Sequence, residues 1–227
     1  MSRCHVCAGP LHPGFALGRM PLGNGFLRPE QLPSEYFFEL AVAPCPECKL
    51  VQLENTVERE RMFHEQYAYY SSTSRVMSEH FGEFARQVCA TLRLREHPAS
   101  GPLVVEIGSN DGIFLQHVQA AGVRHLGVEP SANVGAVARE RGIETWTEFF
   151  DAAVARRISE SFGKAHAIVA ANVMCHIPYV DSVLEGVRGL LERDGVFVFE
   201  DPYLPDILLN NAVDQIYDEH TFYFSLH

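Results

Sequence analysis

From Leu103 onward the chain alternates short apolar stretches with amphipathic ones, and this rhythm constrains the fold more than any other feature. Leu103–Ile107 reads as a strand, 111–121 as a helix, 125–128 as a second strand and 133–141 as a second helix. A third strand is expected at 143–146, a fourth at 165–171, a helix at 181–191 and a fifth strand at 195–200. Strands that alternate with helices line up in parallel, with helices covering both faces of the sheet. The expectation is therefore an α/β protein built on a doubly wound parallel sheet.

Two zones of different texture precede it. Residues 1–58 are rich in Pro, Gly and Cys and lack helical periodicity, which predicts a small module of turns and short strands. Residues 59–100 read as a mainly helical linker, with Met77, Phe81, Phe84 and Val88 at helical spacing. The aromatic and hydroxyl-rich run Tyr67-Ala-Tyr-Tyr-Ser-Ser-Thr-Ser74 interrupts it, and the breaker His97-Pro-Ala-Ser-Gly-Pro102 marks the boundary with the sheet domain at 101–227.

The chain has 227 residues, 47% of them apolar and 21% charged, enough for a buried core without covalent help. Its net charge of −11 and lack of a basic run argue against nucleic acid or an anionic membrane as partner. Arg3 leads into Cys4-His-Val-Cys7 and not into the apolar run of an export signal, and no stretch is apolar enough to span a bilayer. A cytoplasmic location is expected, where six cysteines serve as thiols or metal ligands and not as disulfides.

Four of those cysteines form two C-x-x-C pairs, Cys4/Cys7 and Cys45/Cys48. Each pair offers two thiolates from one tight turn, and two pairs make the tetrahedral four-sulfur set that suits a structural Zn²⁺. A small module without a large core gains the stability that the metal supplies. Cys89 and Cys175 read as packed small hydrophobes.

The run Glu106-Ile-Gly108-Ser109-Asn110-Asp111-Gly112 leaves a strand and opens a helix, the place where doubly wound folds bind nucleoside-containing ligands. Glu129 ends the next strand, followed by Pro130, at the position of a carboxylate that bridges ribose hydroxyls. A dinucleotide would bring a pyrophosphate to the loop, yet Glu106, Asp111 and Glu129 line it and no Lys or Arg lies in it. S-adenosylmethionine carries an ammonium, a sulfonium and no phosphate, so it matches this charge. The other reading is a tight turn with solvated acids, in which Asn110 or Asp111 caps the helix. Phe149, in the run after the third strand, reads either as core or as apolar cover for an adenine. Asn172 and His176, after the fourth, fit the same crevice, and His176 reads equally well as a loop histidine.

Near the end, Tyr217-Asp-Glu-His220 sits among aromatic residues. Either it is a polar turn, or His220, held by a carboxylate such as Glu219, is a general base in a water-poor setting.

Taken together, the paired C-x-x-C, YYSSTS, EIGSNDG, GVEPS, NVMCHI and YDEHTFYFS, in this order along nearly the whole chain, resemble the sugar C-methyltransferases of deoxysugar biosynthesis. That family implies a class I methyltransferase (Rossmann-like) domain behind a zinc-binding module, with S-adenosylmethionine as cofactor and a nucleotide-linked keto-deoxysugar as substrate. The resemblance implies His220 as the base that removes the proton beside the keto group and Glu219 as its orienting or sugar-binding neighbour. It also implies that Tyr217 and Tyr70 contact the sugar or the developing enolate oxygen, with Tyr67 and Tyr69 as alternatives to Tyr70. The family's sheet closes with two further strands and is followed by another domain. A chain ending at His227 is therefore expected to bind cofactor weakly unless a C-terminal domain or a complementing chain completes it.

Overall fold

The structure, a computed structural model, describes residues 2–91 and 101–226; the breaker residues 97–100 lie outside them. The strands are β1 (Phe15–Pro21), β2 (Phe37–Pro44), β3 (Val51–Leu53), β4 (Leu103–Ile107), β5 (Arg124–Val128), β6 (Thr145–Trp146), β7 (Ala165–Ala171), β8 (Leu191–Glu200) and β9 (Phe222–Tyr223). The α-helices are α1 (Arg59–Met62), α2 (Arg75–Thr91), α3 (Leu115–Ala120), α4 (Ala132–Glu140), α5 (Ala152–Phe162), α6 (Val180–Leu190) and α7 (Leu204–Leu209). They form two compact units that interleave along the chain.

The first unit comprises residues 1–62, 172–180 and 200–227. Its antiparallel sheet has the order β1-β2-β3-β9. Strand β2 turns Phe38, Leu40 and Val42 inward with the period of two that a half-buried strand requires. Beside the sheet, Cys4, Leu11, Ala43 and Cys45 form a small buried cluster. β9 reaches this sheet from the far end of the chain, pairing Gln52 with Phe222 and Val51 with Tyr223.

The second unit, residues 63–171 and 181–199, carries the expected sheet in the order β6-β5-β4-β7-β8. The pairs β6–β5, β5–β4 and β4–β7 are parallel, and every residue of β4 is buried. Phe81, Ala85 and Val88 of α2 join Val104, Phe114 and Val118 in its core, which confirms the helical spacing read from the sequence. Phe114 is fully buried, and a side chain of that size contributes roughly 2–3 kcal/mol by leaving water.

Several elements differ from the sequence expectation; β8 begins at Leu191 and not at Gly195, and α7 and β9 were not expected. α3 starts at Leu115 and not at Asp111, because Gly108 (φ 67°), Asn110 (φ 48°) and Gly112 (φ 82°) adopt left-handed backbone that no right-handed helix accommodates. The third strand shrinks to Thr145–Trp146. α5 is absent from the sequence reading; Asp151 caps it, its carboxylate accepting from Ala153 N at 2.8 Å and Val154 N at 2.9 Å. No helix among the described residues is long and apolar enough to cross a membrane.

Candidate functional site

The four paired cysteines converge in the first unit. Cys4 Sγ lies 3.6 Å from Cys48 Sγ and Cys7 Sγ 3.5 Å from Cys45 Sγ, and all four sulfurs lie within 4.8 Å of one another. Zinc–sulfur bonds of about 2.3 Å set tetrahedral edges of about 3.8 Å, so the set fits Zn²⁺. The two knuckles fold alike. Cys4 N donates to Gly9 O and Ala8 N to Cys4 O; Cys45 N donates to Leu50 O and Lys49 N to Cys45 O, with Ala8 and Lys49 both left-handed. Burial alone would raise the Cys4 thiol, but the Cys7 backbone, Gln52 and Val6 N–H bring it down to about 6, while burial pushes Cys48 up to about 12.

In the second unit, β4, β5 and the turn between β4 and α3 assemble three carboxylates. Glu106, Asp111 and Glu129 are all buried. Burial, then Glu129 and Asp111, drive the Glu106 carboxyl well above the ordinary range. Glu129 is raised by burial too, against the backbone N–H groups of Ser131 (2.8 Å) and Asn110 (2.9 Å). Each Glu129 oxygen holds one backbone donor and keeps lone-pair capacity for a hydroxyl. Glu106 Oε2 and Asp111 Oδ1 are out of contact with water and without a hydrogen-bond partner, as expected of a site that receives a cationic ligand. The reading of solvated acids with a helix-capping Asn110 or Asp111 does not hold, since α3 has no side-chain cap. Gly108 and Gly112 supply the turn, and a side chain at Gly112 would meet Ile143 at 2.4 Å. Ser109 is buried in the turn, and Pro130 and Phe149 are half-buried.

The YYSSTS segment lies against this loop. Ser71 N donates to Asn110 Oδ1 at 2.9 Å, and Asn110 Nδ2 to Tyr69 O at 3.1 Å. Ser72 donates to Asp111 through both its backbone N–H and its hydroxyl, and Arg141 bridges Asp111 O and Ser72 Oγ, each at 2.9 Å. Tyr70 OH accepts from Asn133 Nδ2 at 2.9 Å, which distinguishes it from Tyr67 and Tyr69, joined to Asn133 and Asn110 by backbone carbonyls.

The acid–histidine segment belongs to the first unit, as do Asn172 and His176. Asp218, Glu219 and His220 are 2%, 1% and 6% exposed, so they do not form a solvated polar turn. His220 Nδ1 lies 2.8 Å from Gln215 O; a carbonyl only accepts, so Nδ1 carries the proton and Nε2 keeps the lone pair. The Gln215 carbonyl thus orients the ring. Burial lowers its pKa, with the Gln215 carbonyl opposing. The His220 ring centre lies 4.4 Å from that of Tyr217 and 5.1 Å from that of His176. Burial, then the positive charge of His220 when protonated, holds His176 down at about 3. Burial raises the Tyr217 phenol, which stays protonated.

Residues 81–227 match the family model described as a methyltransferase domain, and residues 4–63 match one described as a zinc binding domain. The chain belongs to the methyltransferase-domain family. C-methyltransferase NovU of Streptomyces niveus is 35% identical to this chain over 231 residues, covering 100% of the chain and 53% of NovU. The chain thus spans about half the length of the curated relative it matches. Among solved structures, plantazolicin methyltransferase BpumL in complex with SAH is 15% identical, with a TM-score of 0.51 over 64% of this chain and 60% of that one. Plantazolicin methyltransferase BamL in complex with a triazolic desmethylPZN analog and SAH is 14% identical, with a TM-score of 0.51 over 67% and 59%. At these identities the likeness is one of fold.

Several residues near these groups carried no sequence signal. Cys175, read as packing, donates its backbone N–H to Asp201 Oδ1 at 3.3 Å, and burial pushes Asp201 up to about 6. Ser72, Arg141, Gln52 and Asn24 contact candidate site residues far away in sequence, so no local pattern marks them.

Proposed function

We propose that this methyltransferase takes part in S-adenosylmethionine-dependent C-methylation of a nucleotide-linked keto-deoxysugar. The observation that carries the reading is His220, buried and tautomerically fixed with Nε2 as a base, in a chain 35% identical along its length to a C-methyltransferase. Bound S-adenosylmethionine supplies an electrophilic methyl group. Glu106 and Asp111 would take its ammonium end, Glu129 its ribose hydroxyls and Phe149 its adenine, with Gly108, Ser109, Asn110, Gly112 and Pro130 shaping the loop.

His220 Nε2 accepts the proton from the carbon beside the ketone. Tyr217, kept protonated by its buried setting, donates to the oxygen on which charge develops. Glu219 orients the sugar, and Tyr70 is assigned a sugar contact. The remaining sugar-nucleotide contacts are assigned to a C-terminal domain or complementing chain, in line with the greater length of NovU. The working compartment proposed is the cytoplasm.

The test uses nucleoside-diphosphate-linked 4-keto-6-deoxyhexoses with methyl-labelled S-adenosylmethionine, and the same sugars in heavy water without it. The proposal expects a carbon-bound methyl group and cofactor-independent deuterium uptake beside the ketone, both lost in His220→Gln. Label on oxygen, or uptake indifferent to His220→Gln, would refute it.

A further inference from the structure

We propose that the Gly23–Asn24 turn of the zinc-binding module positions Asp218 and Glu219, making the zinc-bearing sheet the support of the acid–histidine segment. This rests on the catalytic reading of Glu219 and His220 given above. All the contacts that carry it lie within the first unit.

Gly23 N donates to Asp218 Oδ1 at 2.8 Å, and Asn24 Nδ2 donates to Glu219 Oε1 at 2.7 Å. These bonds join residues 195 positions apart. Buried carboxylates require donors, and an amide holds Glu219 without bringing a counter-charge to it. Gly23 also approaches closely: a Cβ there would lie 3.0 Å from the Tyr217 ring and 3.2 Å from Asp218 Oδ1. One turn therefore touches three consecutive residues, Tyr217, Asp218 and Glu219.

The segment is anchored to the same sheet on its other side. Leu53 N donates to Thr221 O at 2.9 Å, and Gln52 pairs with Phe222. Gln52, fully buried, reaches the metal knuckle: its Nε2 lies 3.1 Å from Cys4 Sγ, and its Oε1 accepts from His5 N at 2.9 Å. Such outer-shell donors fix the orientation of a metal-bound thiolate. A continuous set of contacts thus runs from Cys4 through Gln52 and β3 to Thr221, next to His220. Asn24 is a positioning residue that acts through Glu219.

The experiment compares the zinc-loaded full chain with Asn24→Ala, Asn24→Asp, Glu219→Gln and His220→Gln. Its activity readout is deuterium uptake into a nucleoside-diphosphate-linked 4-keto-6-deoxyhexose without S-adenosylmethionine. Zinc content and melting temperature are followed alongside. Asn24→Ala is expected to keep its zinc and fold and to lose about 10-fold in kcat with KM changed less than about 2-fold; Asn24→Asp, which opposes two carboxylates, loses more. Wild-type kcat in both Asn24 variants, with Glu219→Gln impaired, overturns the positioning role and leaves the catalytic reading standing. Wild-type uptake in Glu219→Gln and His220→Gln instead removes the catalytic reading. Hydrogen exchange at residues 217–223 supplies a readout independent of substrate. Asn24→Ala should speed it at least about 5-fold with zinc retained. Unchanged exchange overturns the proposal.

Discussion

Burial decides the protonation states of individual residues, and through them the pH behaviour. His220 is lowered from the ordinary 6.5, so its base form persists into mildly acidic solution. The acid limb of kcat/KM is expected below pH 6.5, and a limb above that value would contradict the assignment. His220→Gln should cost at least about 100-fold in kcat. Asp201 works in the other direction. Its folded carboxyl, pushed from 3.8 up to about 6, holds a proton that the unfolded chain releases. Stability is therefore lost as pH rises from about 4 to about 6, by roughly 3 kcal/mol at most. Asp201→Asn should raise the melting temperature at pH 7 but not at pH 4; an equal gain at both would disprove the linkage. The three buried carboxylates around the turn after β4 were legible in sequence because Glu106 and Asp111 share one motif and Glu129 closes the next strand. Asn24 was not, because its partner lies 195 residues away. The carbonyl partner of His220 was equally hidden, since composition says nothing of where Gln215 O points.

Among elements, the strands were the most legible, because β4 and β7 are buried apolar runs flanked by breakers. α5 escaped because Val154, Ala155 and Ile158 make a narrow apolar stripe between charged residues, and its start is signalled by Asp151 alone. Asp151→Ala should cost about 1 kcal/mol of stability by leaving Ala153 N and Val154 N without their acceptor. The turn after β4 is less tolerant. Gly112 combines φ 82° with a 2.4 Å approach of Ile143 to any added Cβ. Gly112→Ala should cost roughly 1–3 kcal/mol and weaken cofactor binding. Unaltered melting and binding in that variant would show that the loop geometry is not required.

For the whole molecule, the two units follow different chemistry: one holds its small core beside a four-sulfur cluster, the other a parallel sheet with a continuous apolar core. The first should lose most of its ordered structure when a chelator removes the metal, and Cys48→Ser should abolish stoichiometric zinc. The C-x-x-C spacing made that module legible, whereas the addition of β9 to its sheet was not, because a two-residue strand has no pattern of its own.

Calorimetric titration of the zinc-loaded chain with S-adenosylmethionine reads the proposed cofactor pocket itself. The cationic ligand favours ionised Glu106, whose carboxyl burial holds protonated to unusually high pH in the free protein. Binding should therefore occur at one site per chain, release a proton and tighten as pH rises through the titration of Glu106, a dependence flattened in Glu106→Gln. Folded, zinc-loaded protein that shows no saturable binding either alone or with a complementing C-terminal domain would contradict the cofactor assignment.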